Sequence, residues 1–192
     1  LRRFSPAAEK ALKLGGIGNS GDGSRMAWAL GADLLDVSYT KATYGFNPKT
    51  KTSAFVMYNG AMMVNLNGER FANESGPYDY ILNAALTQPH HTVVDIWDSD
   101  YETYLEQFDI HGCARVYPFE NGAPTNMTLE TVKGINEGLL ADGYIVKADT
   151  IEELAKGLGL PVENLKKTVE RQNENYDNQV DPDFGKDAFR LS

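Results

Sequence analysis

Cysteine and histidine are scarce in this sequence. Cys113 is the one cysteine among 192 residues, so the chain cannot form an internal disulfide, an iron–sulfur site or a cysteine-rich zinc site. Among the three histidines, His90 and His91 are adjacent and follow a proline, with no carboxylate at ligand spacing. We therefore predict that this pair is exposed in a turn and that the chain has no metal site.

Basic residues and long apolar runs are also few. Lysine and arginine number 18 against 27 acidic residues, which gives a formal net charge of −9. An acidic chain does not attract a phosphate backbone or an anionic membrane surface, so nucleic acid is not an expected partner. No apolar stretch approaches the length of a membrane span. A composition of 42% hydrophobic and 23% charged residues is typical of a soluble globular protein, with a cytoplasmic or an exported location both open.

The sequence does contain a mixture of helical and strand patterns, which predicts an α+β fold. Helical signals cover residues 5–14, 24–30, 78–86, 101–108, 129–140, 151–158 and the segment from 161 onward. Strand patterns cover 55–58, 62–65, 70–73, 92–97 and 144–147, and 110–126 is predicted to be an irregular surface segment.

Two local signals are stronger than the rest. Asn67-Gly68 lies between two predicted strands and predicts an antiparallel hairpin, because Asn-Gly readily takes the positive φ angles of a tight turn. Thr150 and Glu153 form a capping-box pair that predicts the start of a helix.

Three stretches together carry a resemblance to a known family. The first is Gly18-Asn19-Ser20-Gly21-Asp22-Gly23, with Gly31-Ala32-Asp33 after its helix. The second is the predicted hairpin, residues 60–65 and 68–74. The third is residues 146–155 followed by Asp181-Pro182-Asp183-Phe184-Gly185. In order and spacing these stretches resemble the fumarate reductase/succinate dehydrogenase flavoprotein family, whose members are FAD-dependent oxidoreductases.

The resemblance implies two domains. Residues 1–38 would be a remnant of the FAD-binding domain, and residues 39–192 would form the capping domain, which closes the substrate against the flavin and excludes water. The implied partners are FAD, a small-molecule substrate and the rest of the flavoprotein chain, because the family's Gly-x-Gly-x-x-Gly would precede Leu1. By itself, the chain is expected to bind FAD weakly or not at all and to be inactive.

The turn Ser20, Gly21, Asp22 and Gly23 is the candidate cofactor contact. Glycines allow a close backbone approach, and a helix N-terminus presents free N–H groups. By resemblance the turn would border FAD, although the family has threonine where this chain has Ser20. The alternative is an ordinary turn in which Asp22 caps a helix.

Tyr78 is the candidate catalytic residue. Counted from Arg70, it occupies the place where fumarate reductases carry a proton-delivering arginine. Gly76-Pro77-Tyr78 also resembles the corresponding loop of the 3-ketosteroid dehydrogenases, in which a tyrosine handles the proton. A phenol can transfer a proton when its surroundings bring its pKa toward the working pH. The alternative is a core aromatic at a helix start.

The substrate clamp of the fumarate reductases is absent from the expected positions. Their Thr-Glu-x-x-Arg motif would fall on Ser53, Ala54 and Met57, so the arginine that grips a carboxylate in a bidentate manner is missing. The histidine expected earlier in the cap is missing as well. These departures argue against a dicarboxylate and favour an enone-type or ring substrate for hydride transfer between flavin and a carbon–carbon double bond.

Other residues of the hairpin are predicted to serve structure. Arg70 and Glu74 would form a pair that braces the loop before Tyr78, and Asn73 would brace the same loop through hydrogen bonds. A second function remains open from the sequence alone, namely a non-catalytic module that binds a ligand or a partner and descends from a cap domain.

Overall fold

The computed structural model describes residues 6, 9, 18–35, 61–103, 129–188 and 191. Its helices and strands are α1 (Asp22–Ala29), β1 (Met62–Asn65), α2 (Tyr78–Leu86), β2 (Val93–Ile96), α3 (Leu129–Ala141), α4 (Ile151–Leu158) and α5 (Val162–Asn178). A short 3-10 turn, Pro89–His91, lies between α2 and β2. The mixture of helices with an antiparallel strand pair confirms the α+β prediction at this level.

The two described strands form an antiparallel pair. Met63 lies opposite Asp95, and Val64 lies opposite Val94. Because successive side chains of a strand point to opposite faces, each face of the pair has its own core. Met63 packs with Ile81 and Leu82 of α2 on one face. On the other face, Met62 and Val64 belong to a cluster completed by Ala155, Leu160 and Leu165.

The predicted turn after β1 is present, with one correction. Gly68 has φ 76° and donates its N–H to the Asn65 carbonyl, while Asn65 N–H bonds to the Glu69 carbonyl. Asn67 does not take a positive φ, so the loop is longer than a two-residue turn and resembles a type I turn closed by a left-handed glycine. The Asn65 side chain supports this loop by accepting the N–H groups of Asn67 and Glu69.

The predicted strand 70–73 is reduced to a single bridge between Val64 and Arg70. The ladder of β1 is formed with β2 instead. The predicted strand 144–147 is wrong, because Tyr144 and Ile145 donate their N–H groups to Leu139 and so complete the C-terminus of α3.

The helix predictions are largely confirmed. The Thr150 side chain accepts the Glu153 N–H at 3.2 Å, which is one of the two hydrogen bonds of the predicted capping box. Helix α4 ends at Gly159, whose left-handed φ of 70° suits a glycine, and Leu160 then turns into the core. Helix α1 begins two residues before the predicted start. His90 and His91 are exposed, as predicted.

Several predictions fall outside the described residues. These are the strand 55–58, the second part of the helix 101–108, the segment 110–126 and the positions Ser53, Ala54 and Met57. Of the predicted first helix, the structure describes Pro6 and Glu9, and Glu9 N–H bonds to the Pro6 carbonyl.

Candidate functional site

The glycine turn before α1 is exposed, as are all of residues 18–32. Among the described residues, nothing lies within 4 Å of a Cβ added to Gly18, Gly21 or Gly23. Gly21 is the N-cap with φ 79°, and no side chain caps the helix. Asp22 is the first residue of α1 and accepts a hydrogen bond from Ser20 Oγ, so the expectation that Asp22 caps the helix is wrong.

The turn and the start of α1 offer two features that suit a cofactor. The uncapped helix start offers backbone N–H groups, which suit an oxygen-bearing group, and the glycines leave room for its close approach. Ser20 could hold such a group through its hydroxyl. The Asp22 carboxylate accepts hydrogen bonds and repels anions, so its oxygen atoms suit a hydroxyl group of a cofactor better than a phosphate.

Tyr78 is the first residue of α2, directly after the N-cap Pro77. The preceding turn is fixed by Asn73, whose carbonyl accepts the Gly76 N–H at 3.0 Å and whose Oδ1 accepts the Ser75 N–H at 2.8 Å. Asn73 Nδ2 also donates to the Gly185 carbonyl at 2.8 Å, which ties the turn to the C-terminal segment. The predicted bracing role of Asn73 is confirmed. The position of Tyr78 follows from this turn and from the proline.

A buried ion cluster lies beneath the same turn. Arg70 donates two hydrogen bonds of 2.9 Å to the two oxygens of Glu74, and a third of 2.9 Å to Asp181 Oδ2. The side chains of Arg70, Glu74 and Asp181 are 6%, 1% and 0% exposed. The predicted Arg70–Glu74 pair is confirmed, and Asp181 adds a third member.

The electrostatics of the cluster keep it charged. Burial alone would disfavour the Arg70 cation, but its hydrogen bonds to the Glu74 and Asp181 carboxylates and their negative charges outweigh burial and raise the pKa of Arg70. Burial also works against the Asp181 carboxylate, yet the hydrogen bond from Arg70 and the N–H groups of Phe184 and Lys186 lower its pKa. The Arg70 guanidinium also lies over the Phe184 ring, 5.1 Å from its centre.

Lys186 completes the cluster from the C-terminal side. Its ammonium lies 3.7 Å from Glu74 Oε2 and donates to the Ala61 carbonyl at 3.3 Å. Burial is the main influence and lowers the pKa of Lys186, despite the nearby carboxylates. Lys186 is therefore a second basic group beside Glu74, in addition to Arg70.

Asp95 on β2 is a further acid whose pKa is affected by Glu74 of this cluster. The residue is partly exposed, but its Oδ1 is shielded from solvent and has no hydrogen-bond partner in the part of the chain that the structure describes. Burial, reinforced by the negative charge of Glu74, raises the pKa of Asp95 to about 7. A carboxyl group with a pKa near neutrality can take up or release a proton under working conditions.

The sequence did not reveal Asp181, Lys186 or Asp95 as members of one site. Asp181 is 111 residues away from Arg70, so local spacing carries no signal for that contact. A polar residue inside the apolar strand pattern 92–97 was the one available signal for Asp95.

The two sets of predicted site residues are not packed together in the described structure. Helix α1 contains no buried residue, so the turn Ser20–Gly23 does not belong to the core against which the helix of Tyr78 packs.

Two kinds of feature are absent from the described part of the chain. Within it, no three His, Cys, Asp or Glu side chains gather as they would around a metal ion. No helix there has the length and apolar character required to cross a membrane.

Comparison with known proteins gives concordant matches. The chain matches the model of the FAD binding domain family over residues 1–191. It is 32% identical over 185 residues to 4-oxocyclohexanecarboxylate 2-dehydrogenase of Sinomonas cyclohexanicum, covering 86% of this chain and 27% of the relative. It is 30% identical over 176 residues to NADH:acrylate oxidoreductase of Vibrio harveyi, covering 89% of this chain and 15% of that protein.

A solved structure agrees with these matches. The open conformation of a flavocytochrome c3 fumarate reductase superposes with a TM-score of 0.61 at 26% identity, covering 96% of this chain and 28% of the other. The chain thus spans less than a third of the length of each of these three proteins. FAD is the cofactor of the matched family. The chain belongs to the FAD binding domain family, and within it to the fumarate reductase/succinate dehydrogenase flavoproteins that its three motifs resemble.

Proposed function

We propose that the full-length protein uses FAD to transfer hydride to or from a carbon–carbon double bond of an enone-type substrate. The observation that carries this proposal is the family match, which runs through residues 1–191 and so includes both the glycine turn and the segment of Tyr78. The hydride chemistry belongs to the flavin when it is bound. The chain's own residues would position the substrate, exclude water and handle the proton.

The substrate class is inferred from what the chain lacks and from its relatives. Ser53, Ala54 and Met57 stand where a dicarboxylate clamp would supply glutamate and arginine. The names of the two curated relatives describe acrylate and a ring that carries an oxo group and one carboxylate, so neither names a dicarboxylate. A less charged substrate with a carbonyl group beside the reacting bond satisfies both observations.

The proposed division into domains is supported by the distribution of exposed apolar side chains. Met26, Trp28, Leu30 and Leu35 are 63%, 46%, 89% and 79% exposed. Such a surface is expected of a segment that is covered by other parts of a protein. Residues 61–191, in contrast, contain their own buried clusters. We assign residues 1–38 to the FAD-binding domain and 39–192 to the cap.

In this proposal Tyr78 exchanges the proton that accompanies hydride transfer, and Ser20, Gly21, Asp22 and Gly23 border FAD. The support for Tyr78 is its place at the start of α2, after a turn that Asn73 and the ion cluster hold. A group that must transfer a proton requires such a fixed backbone position.

The first test is the visible absorption spectrum of the purified full-length protein. Flavin bands, present at purification or after FAD is added, are the expected result. A correctly folded protein that stays colourless with added FAD would contradict the proposal and favour a ligand- or partner-binding module.

The second test assigns the proton. Tyr78→Phe removes the hydroxyl group and is expected to slow turnover of an enone substrate by about 100-fold or more while flavin stays bound. Tyr80→Phe is the matched control, since Tyr80 lies two residues along α2 and is 46% exposed. Equal rates in the two variants would remove Tyr78 from the mechanism, and fumarate serves as the comparison substrate.

A further inference from the structure

Asp95 and Glu74 are both adjacent to Met63 of β1. Asp95 is opposite Met63 in the strand register, and Met63 donates its N–H to Glu74 Oε1 at 3.1 Å. Met63 of β1 thus pairs with Asp95 and also bonds to the Glu74 carboxylate. Glu74 accepts hydrogen bonds from Arg70 and Met63, while Asp95 Oδ1 is shielded from water and has no hydrogen-bond partner among the described residues.

No cation among the described residues pairs with Asp95. Glu74 and Asp181 share the Arg70 cation, and burial lowers the pKa of Lys186, the other basic group of the cluster. An ionised Asp95 would add a third carboxylate without a cation of its own, in a place where a buried and unpaired charge is costly. Geometry and charge together therefore favour the neutral acid, in agreement with a pKa of about 7 caused by burial and by Glu74.

Three elements that contact the strand pair carry ionisable groups. Glu74 and Arg70 belong to the segment after β1, and Asp181 and Lys186 belong to the C-terminal segment. On α2, Asp79 and Tyr80 are exposed. Of these groups, Glu74 is the one whose charge raises the Asp95 pKa. An ionised Asp95 would therefore be repelled by Glu74.

We propose that Asp95 is a positioning residue, which in its protonated form allows Glu74 to hold the turn that leads to Tyr78. Glu74 begins the sequence Glu74-Ser75-Gly76-Pro77 and anchors it through Arg70 and Met63. When Asp95 loses its proton, its negative charge repels that of Glu74, and the anchor of the turn is weakened. The expected effect of Asp95 on turnover rests on the proposed function, whereas the expectation that Asp95 keeps its proton does not.

The retained proton is tested without any substrate. The full-length protein, labelled with carbon-13 at aspartate carboxyl groups, is titrated by NMR. We expect one aspartate signal to titrate about three pH units above the ordinary value of about 3.9, and this signal should be missing from Asp95→Asn. Asp98→Asn, three residues further on and exposed, is the matched control and should retain it. A wild-type protein whose aspartates all titrate in the ordinary range would overturn the inference, and this measurement requires no variant to fold.

The effect on the turn is tested by amide hydrogen exchange. The amides of Met63 and Gly76 report on the anchor and on the turn, since they bond to Glu74 and to the Asn73 carbonyl. After correction for the intrinsic effect of pH, their protection is expected to fall about tenfold from about pH 5.5 to about pH 8.5 in the wild type and to stay constant in Asp95→Asn. Equal protection in the wild type at both pH values would overturn the positioning role.

Turnover provides the last readout. The wild-type kcat is expected to fall several-fold as pH rises through about 7, with KM little changed, and Asp95→Asn should lose this fall while keeping the rate seen at lower pH. A variant that shows the same pH profile as the wild type would contradict the positioning role. If the NMR and exchange results hold but no enone or fumarate is turned over, the failure lies in the proposed function and not in the retained proton.

Discussion

At the scale of single residues, Arg70 joins two segments of the chain that no local sequence pattern connects. It bonds to Glu74 four residues later, to Asp181 near the C-terminus and lies over the Phe184 ring. Its fork of donors suits two carboxylates at once, which a lysine could not reproduce. The turn before Tyr78 and the C-terminal segment thus share one cation.

Removal of this cation should have a large effect. Arg70→Met leaves Glu74 and Asp181 buried without a positive partner, so we expect the free energy of unfolding to fall by about 3–5 kcal/mol. Equilibrium urea denaturation followed by circular dichroism measures the change. Arg171→Met is the control, because Arg171 pairs with Asp183 at the surface and its loss should leave the midpoint nearly unchanged. Similar midpoints for both variants would show that the buried cluster contributes little.

Gly68 offers a second test at this scale. Its φ of 76° disfavours any other residue, and an added Cβ would lie 3.1 Å from the backbone nitrogen of Leu165. Gly68→Ala is therefore expected to lower the unfolding free energy by about 2–3 kcal/mol, from backbone strain and from a contact with rigid backbone.

Gly143→Ala separates these two causes. Gly143 has a similar φ of 75° but nothing within 4 Å of an added Cβ. Its substitution should show the strain alone, about 1 kcal/mol. If both alanine variants lose the same stability in urea denaturation, the contact between the hairpin loop and α5 is not tight.

At the scale of elements, the sequence was informative where the signal was local. The turn at Gly68, the N-cap at Thr150 and the helix after Pro77 follow from residues that contact one another within a few positions, and all three are present. The choice of partner for β1 is different. It pairs with β2, some 30 residues later, because Val94 and Ile96 extend the apolar cluster of Leu165.

The same contrast explains the wrong strand at 144–147. Its apolar residues fit a strand pattern, but their N–H groups complete the end of α3, and Val146 packs beside Gly157 of α4. A periodicity of two cannot distinguish a short strand from an extended segment that covers a helix. The positions of Asp181 and Lys186 in the ion cluster could not be predicted from local patterns either, because only the folded chain brings them to Arg70 and Glu74.

The packing of α5 on the strand pair leads to a prediction for this element. Leu165 is 0% exposed and lies in the cluster with Met62 and Val64. Leu165→Ala should remove about 2–5 kcal/mol from the free energy of unfolding, because a cavity remains where the side chain was. Leu140→Ala is the control on α3, at a site that is 41% exposed. A comparable loss for both would mean that α5 does not form the core of this face.

At the scale of the whole molecule, one group is expected to govern stability in the neutral range. Burial and Glu74 raise the pKa of folded Asp95 to about 7, whereas an unfolded aspartate titrates near 3.9. Between these values the folded state holds a proton that the unfolded state has released, so stability falls as pH rises, by up to about 1.4 kcal/mol per pH unit, and levels off above about 7. Asp181 acts in the opposite direction at lower pH, since its pKa is lowered and its contribution disappears as acid protonates it.

The two effects occupy different pH ranges, so a single variant can separate them. Asp95→Asn keeps the shape of the neutral acid and cannot ionise, and we expect its stability to stay level between about pH 4.5 and about pH 7 while the wild type declines. The loss in acid, which comes from Asp181, should remain in both proteins. Urea denaturation of the two proteins at a series of pH values measures the difference. A parallel decline of both would mean that Asp95 is ionised in the folded protein, because an acid that has already lost its proton cannot produce the slope.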